Sequence, residues 1–134
     1  MRIVVDTNVL VSGVLNPHGP PGRIVEAMLA RMFVVLCDDR IMSEYRVVLL
    51  RPVFRFETTE MEAMLDHIER TGENIICALA GLILPDPTDL PFLEVAIAGH
   101  ADALVTGNLK HFKPKRGHHG VTVLSPAQFV RQLA

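Results

Sequence analysis

The sequence predicts an α/β fold, a single domain over residues 1–134 with a central parallel sheet of four or five strands flanked by helices. Three observations predict it. Short apolar runs recur along the chain, and stretches with helical periodicity separate them at lengths that suit parallel crossovers. The 134 residues are also 49% apolar and 21% charged, enough for one real core and against disorder.

The strand candidates in order are Arg2 to Val5, Phe33 to Cys37, a weaker one near Ile75 to Leu79, Ala103 to Thr106, and Val121 to Leu124. Between them, periodicity predicts helices near residues 22–32, 40–50, 59–71 and 89–100, and a last one from Pro126 to the end. Two helix starts read as capping boxes: Thr59 with Glu62, and Ser125 with Gln128 after Pro126 at the first helical position. The loop "NPHGPPG", residues 16–22, is the most irregular stretch, and its Pro and Gly residues make it a turn. No internal repeat, low-complexity tract or linker interrupts the pattern. Cys37 and Cys77 stand apart in apolar surroundings and read as core residues rather than a zinc site or a disulfide. Asp6 breaks the first apolar run, and no segment approaches the roughly 20 apolar residues that span a bilayer. The chain is therefore expected in the cytoplasm, off the membrane.

In an open parallel sheet ligands bind beyond the carboxyl ends of the strands, so the residues leaving each strand are candidate site residues. Asp6 leaves the first strand in "IVVDTNVLVSG", and Thr106, Gly107 and Asn108 leave another in "ALVTGN". Asp102 precedes that strand, roughly 13 Å from Thr106 at about 3.3 Å per residue, and reads as a cap or a solvated charge. Helical spacing sorts the other acids. Glu44 shares a face with Ile41, Tyr45 and Val48, and Asp89 shares one with Phe92, Leu93 and Ala96, whereas Glu94 points away. Asp86, in "PDPTD", either reaches the same place or shapes the turn.

Each acid has a structural explanation by itself: Asp6 as a cap for the following helix, Glu44 as the partner of an arginine, Asp89 as a first-turn residue favoured by the helix dipole. Their convergence is harder to explain that way. Carboxylates about 5 Å apart at an effective dielectric near 20 repel by roughly 3 kcal/mol per pair, so they must protonate or share a cation. A set of oxygen donors without cysteine suits Mg²⁺ or Mn²⁺, which bind through a few carboxylates, water and substrate phosphate. That points to metal-assisted attack on a phosphodiester.

Asp6 with Asn8 at the first strand's end, Glu44 on a helix, "DLPFLEVA" beginning at Asp89, and "ADALVTGN", in that order, resemble the PIN-domain ribonucleases, and within them the VapC-like toxins of toxin-antitoxin modules. The resemblance covers nearly the whole chain. It implies an acidic pocket holding Mg²⁺ or Mn²⁺, single-stranded RNA as substrate, a cognate antitoxin as partner and a homodimer. It brings over Asp6, Glu44 and Asp89 as metal ligands, with Asn8 and Thr106 as supporting polar groups. The fourth family acid is here Asn108, which implies one firm metal site and a weak second one.

The net charge of −2 does not advertise nucleic-acid binding, but "KHFKPKRGHHG", residues 110–120, gathers Lys110, Lys113, Lys115 and Arg116 just beyond Asn108. These four can hold a phosphate backbone or form a solvated basic loop. His118 and His119 read as exposed loop residues. Beside the ribonuclease reading stand two others: a PIN-like RNA-binding or antitoxin-binding module weakened at Asn108, and a phosphatase-like hydrolase. The last is disfavoured because "DTNVL" lacks the second aspartate of the DxDxT motif.

Overall fold

A computed structural model describes residues 1–78, 86–112 and 120–133 of the chain. In chain order its elements are β1 (Arg2–Val5), α1 (Thr7–Leu15), α2 (Pro20–Leu29), β2 (Val34–Cys37), α3 (Asp39–Leu49), α4 (Thr58–Thr71), β3 (Glu73–Asn74), α5 (Leu90–Ala98), β4 (Ala103–Val105), β5 (Val123–Leu124) and α6 (Pro126–Leu133). Short 3₁₀ turns at Pro52–Phe54, Pro87–Asp89 and Leu109–Phe112 link some of them. Among the described residues the five strands form one parallel sheet in the order β3-β2-β1-β4-β5.

β1 lies at the centre with β2 on one side and β4 on the other, which is why "RIVV" is an apolar run: Ile3, Val4 and Val5 are fully buried. α5 packs across β1, β2 and β4, and its sequence is apolar almost all round, as a helix with neighbours on most sides must be. The chain winds outward from β1 through β2 to β3, then returns to place β4 on the opposite side of β1. The carboxyl ends of β1 and β4 thus flank the point where strand order reverses, where open α/β sheets form their binding crevice.

Several boundaries differ from the sequence expectation. The helix after Asp6 runs Thr7–Leu15, and α2 begins at Pro20 inside the expected turn, because prolines fit the first turn of a helix. The third strand is Glu73–Asn74 rather than Ile75 to Leu79; it is an edge strand held by backbone pairing to Leu36 and Cys37, so it needs no apolar run, and Ile76 is 89% exposed. Leu79 lies outside the described residues, as does Ala134 at the end of the last expected helix.

The Thr59–Glu62 capping box does not form. Glu57 caps α4 by accepting from the Glu60 N–H at 2.7 Å, and Glu62 pairs with Arg46 at 2.9 Å. The Ser125–Gln128 box does form, with reciprocal bonds of 2.8 and 3.2 Å. Both cysteines are free, and burial pushes the Cys37 thiol up to about 11. No described helix is long and apolar enough to cross a membrane.

The corner between α1 and α2 closes tightly: a Cβ on Gly22 would lie 2.1 Å from the Pro17 carbonyl oxygen. Backbone cannot yield as a flexible side chain can, so Gly22→Ala is expected to destabilise the chain by about 1–3 kcal/mol. Urea unfolding of the two proteins measures the difference, and equal midpoints would contradict the close approach.

Candidate active site

The register of the two central strands pairs Val5 with Val105, so Asp6 and Thr106 leave the sheet side by side. The Asp6 N–H donates to the Val105 carbonyl at 2.9 Å. Thr106 Oγ1 donates to Asp6 Oδ2 at 2.7 Å, and Asn8 Nδ2 reaches the same oxygen at 3.3 Å. Asn8 Oδ1 in turn accepts from the Gly107 N–H at 3.0 Å, and the Asn108 N–H donates to Thr106 Oγ1 at 3.0 Å. "DTN" and "TGN" are thereby stitched together. Asp6 occupies the N-cap position of α1 but its side chain makes no cap hydrogen bond, so the carboxylate is not engaged in starting the helix.

Glu44 comes from α3. That helix is capped by Asp38, which accepts from the Ile41 N–H at 3.0 Å, and it buries Ile41, Tyr45 and Leu49. The Tyr45 hydroxyl donates to the carbonyl of Val5, fixing α3 against the end of β1. Glu44 is half-buried beside this seam and accepts a hydrogen bond from Thr7 Oγ1. Asp89 ends the turn before α5, is 8% exposed, and also makes no side-chain cap bond. His111 Nδ1 lies 2.9 Å from its Oδ2, yet that buried oxygen has no aligned hydrogen bond. Asp86 takes up the turn role expected of it, accepting from the Thr88 N–H at 3.0 Å and from Thr88 Oγ1 at 2.8 Å.

Asp6, Glu44 and Asp89 line one pocket of about 380 Å³, together with Thr7, Asn8 and Phe54. A larger and more apolar groove of about 660 Å³ between α2 and α4 shares none of these residues. Burial, opposed by the Thr106 hydrogen bond and reinforced by the charges of Asp89 and Glu44, pushes the Asp6 carboxyl up to about 6. Burial likewise raises Asp89, with His111 acting against it and Asp86 and Glu44 adding to it. Among the described residues, one group of three donors comes within 4.8 Å of one another, Asp86, Asp89 and His111, and it shares only Asp89 with the expected ligands.

The remaining candidates are less central. Asn108 is exposed and is not among the residues lining the pocket. Lys110 is exposed in the Leu109–Phe112 turn, while Lys113, Lys115, Arg116, His118 and His119 lie outside the described residues. Glu94, expected to face solvent, is instead covered: its side chain is 13% exposed and pairs with Arg40 at 2.6 Å, while Arg40 also holds Asp38 at 2.8 Å. Asp102 is exposed and accepts from the Arg2 N–H at 2.7 Å at the start of β1, at the opposite end of the strands from the pocket. Thr7, Phe54 and His111 were not singled out from sequence. Thr7 stands inside "DTN", where its hydroxyl is the one available signal.

The raised Asp6 carboxyl has a consequence for stability. In the folded chain Asp6 holds its proton up to about pH 6, while an unfolded chain releases it near 3.8, so the folded state binds more protons between those values. In metal-free buffer Asp6 therefore lowers stability as pH rises through that window, by up to about 3 kcal/mol above it. Asp6→Asn is expected to reduce this slope in unfolding titrations between pH 4 and 7; an unchanged slope would contradict the buried, mutually repelling acids.

The chain matches the family model of the PIN domain over residues 2–110. An uncharacterized protein of Methanocaldococcus jannaschii is 33% identical over 55 residues, covering 41% of this chain and 36% of the relative, so the match spans about a third of that protein's length. A chain in the crystal structure of VapBC2 from Rickettsia felis bound to a DNA fragment from their promoter has the same fold, with a TM-score of 0.57 at 21% identity, covering 93% of this chain and 98% of that one. The family match runs from the first strand past Asp6, Glu44, Asp89 and Asn108, and the chain belongs to the PIN domain family.

Proposed function

We propose that the protein is a metal-dependent endoribonuclease that cleaves single-stranded RNA as the toxin of a toxin-antitoxin pair. The observation that carries this reading is the meeting of Asp6, Glu44 and Asp89 in one pocket at the strand-order reversal, none of them used as a helix cap. PIN domains are generally nucleases and typically use divalent metals, which supports it further.

Two observations in the pocket support such an ion. A buried carboxylate oxygen of Asp89 has no hydrogen bond, and burial raises the Asp6 carboxyl, with the charges of Asp89 and Glu44 adding to the rise. Asp6, Glu44 and Asp89 would hold Mg²⁺ or Mn²⁺, which supplies an activated water and offsets charge on the attacked phosphate. The chain's own polar groups position these acids: Thr106 and Asn8 fix Asp6, and Thr7 fixes Glu44. Asp86 and Asn108 stand at the margin. Lys110, with Lys113, Lys115 and Arg116, would meet the substrate's phosphates.

The solved structure that shares this fold contains a toxin-antitoxin pair, VapBC2, which supports an antitoxin partner for this chain. A homodimer acting in the cytoplasm completes the reading. A second reading, an RNA-binding or antitoxin-binding module with weakened catalysis, is favoured by one observation: Asn108 is uncharged and lies off the pocket wall. The family match leaves no ground for a phosphatase on another α/β scaffold.

The purified chain is expected to cleave single-stranded RNA with Mg²⁺ or Mn²⁺ and to stop in EDTA. Asp6→Ala, Glu44→Ala and Asp89→Ala should each lose at least about 100-fold in rate with unchanged circular dichroism, whereas Asp102→Ala should keep full activity. Intact RNA at every metal concentration would favour the binding module. Expression of the chain alone should slow growth, and equal toxicity from Asp6→Ala would show that cleavage is not the cause.

A further inference from the structure

His111 meets Asp89 at the edge of the acidic pocket. Its Nδ1 lies 2.9 Å from Asp89 Oδ2, but the oxygen is buried and without a hydrogen bond, on a residue only 8% exposed. A donor atom of Asp86 joins these two, all three within 4.8 Å of one another. Asp86 is fixed through its Oδ1 by Thr88, and the turn carrying His111 is anchored by Phe112, which is fully buried. The imidazole itself remains 40% exposed, which leaves a path from solvent.

We propose that Asp86, Asp89 and His111 form a divalent-cation subsite, joined to the acidic pocket through Asp89, whose imidazole donor selects a first-row transition ion over Mg²⁺. The inference rests on the metal-dependent reading of that pocket for its role in the protein. Mg²⁺ demands oxygen ligands in near-ideal octahedral geometry and sheds water reluctantly, so a nitrogen donor in a set of three adds little to its binding. Transition ions accept mixed carboxylate and imidazole sets. The uncharged Asn108 is then not the residue that completes metal binding on this side of the site. His111, three positions further on, does so with a donor of different chemistry.

Mn²⁺ titration of the whole chain, followed by electron paramagnetic resonance with pulsed detection of nitrogen coupling, tests the proposal. The unaltered chain is expected to bind Mn²⁺ with a directly coupled nitrogen. His111→Ala should remove that coupling and weaken Mn²⁺ binding by about tenfold or more, while calorimetry finds Mg²⁺ binding unchanged. Nitrogen coupling that is absent from the unaltered chain, or that survives in His111→Ala, overturns the subsite. RNA cleavage plays no part in this measurement. Coupled Mn²⁺ in a chain that leaves RNA intact would uphold the subsite while sinking the ribonuclease reading, and cleavage without nitrogen coupling would do the reverse.

Discussion

The parallel register between β1 and β4 is the constraint on which the site depends. Pairing Val5 with Val105 places Asp6 next to Thr106, and the 2.7 Å hydrogen bond between them follows from that pairing. A slip of one residue would turn each side chain to the other face of the sheet and separate the two. The register is secured by apolar packing rather than by the polar groups it aligns: Val4, Val5, Leu104 and Val105 are all fully buried. The Tyr45 hydroxyl on the Val5 carbonyl extends the same frame to α3 and so to Glu44. The core thus sets the geometry of the acids, and the acids contribute little to holding the core.

The contrast between two sets of acids separates scaffold from site. Asp38 and Glu94 share Arg40, and Asp38 also caps α3; their charges are matched, and the group joins α3 to α5. Asp6 and Glu44 are oriented by hydroxyl and amide donors, and burial, reinforced by neighbouring acids, raises the proton affinity of Asp6 and of Asp89. Neutral donors can orient a carboxylate but cannot neutralise it. Such a pocket is stable with protons on it or with a cation in it, and the preference changes with pH.

Much of this was legible from residue order. Apolar runs and helical spacing placed the strands Arg2–Val5 and Ala103–Val105 and the helix Asp39–Leu49 to within a residue or so, because burial on both faces of a parallel sheet leaves a direct mark on composition. Spacing on a helix face also turned Glu44 and Asp89 inward. The same rule failed for Glu94, which sits on a helix apolar almost all round and meets Arg40, 54 positions earlier in the chain. The edge strand Glu73–Asn74 escaped notice because backbone pairing alone makes it.

By itself, then, the sequence determined the fold class, the parallel core and the three acids of the pocket, since each is a local pattern of apolar and polar residues imposed by burial. Tertiary structure alone decided which groups hold those acids and which stand beside them: Thr7 on Glu44, Thr106 on Asp6, His111 against Asp89, Arg40 over Glu94. Several of these contacts join residues tens of positions apart, and periodicity carries no information at that range. The contact of Thr106 with Asp6 exists because the order β3-β2-β1-β4-β5 brings the ends of β1 and β4 together.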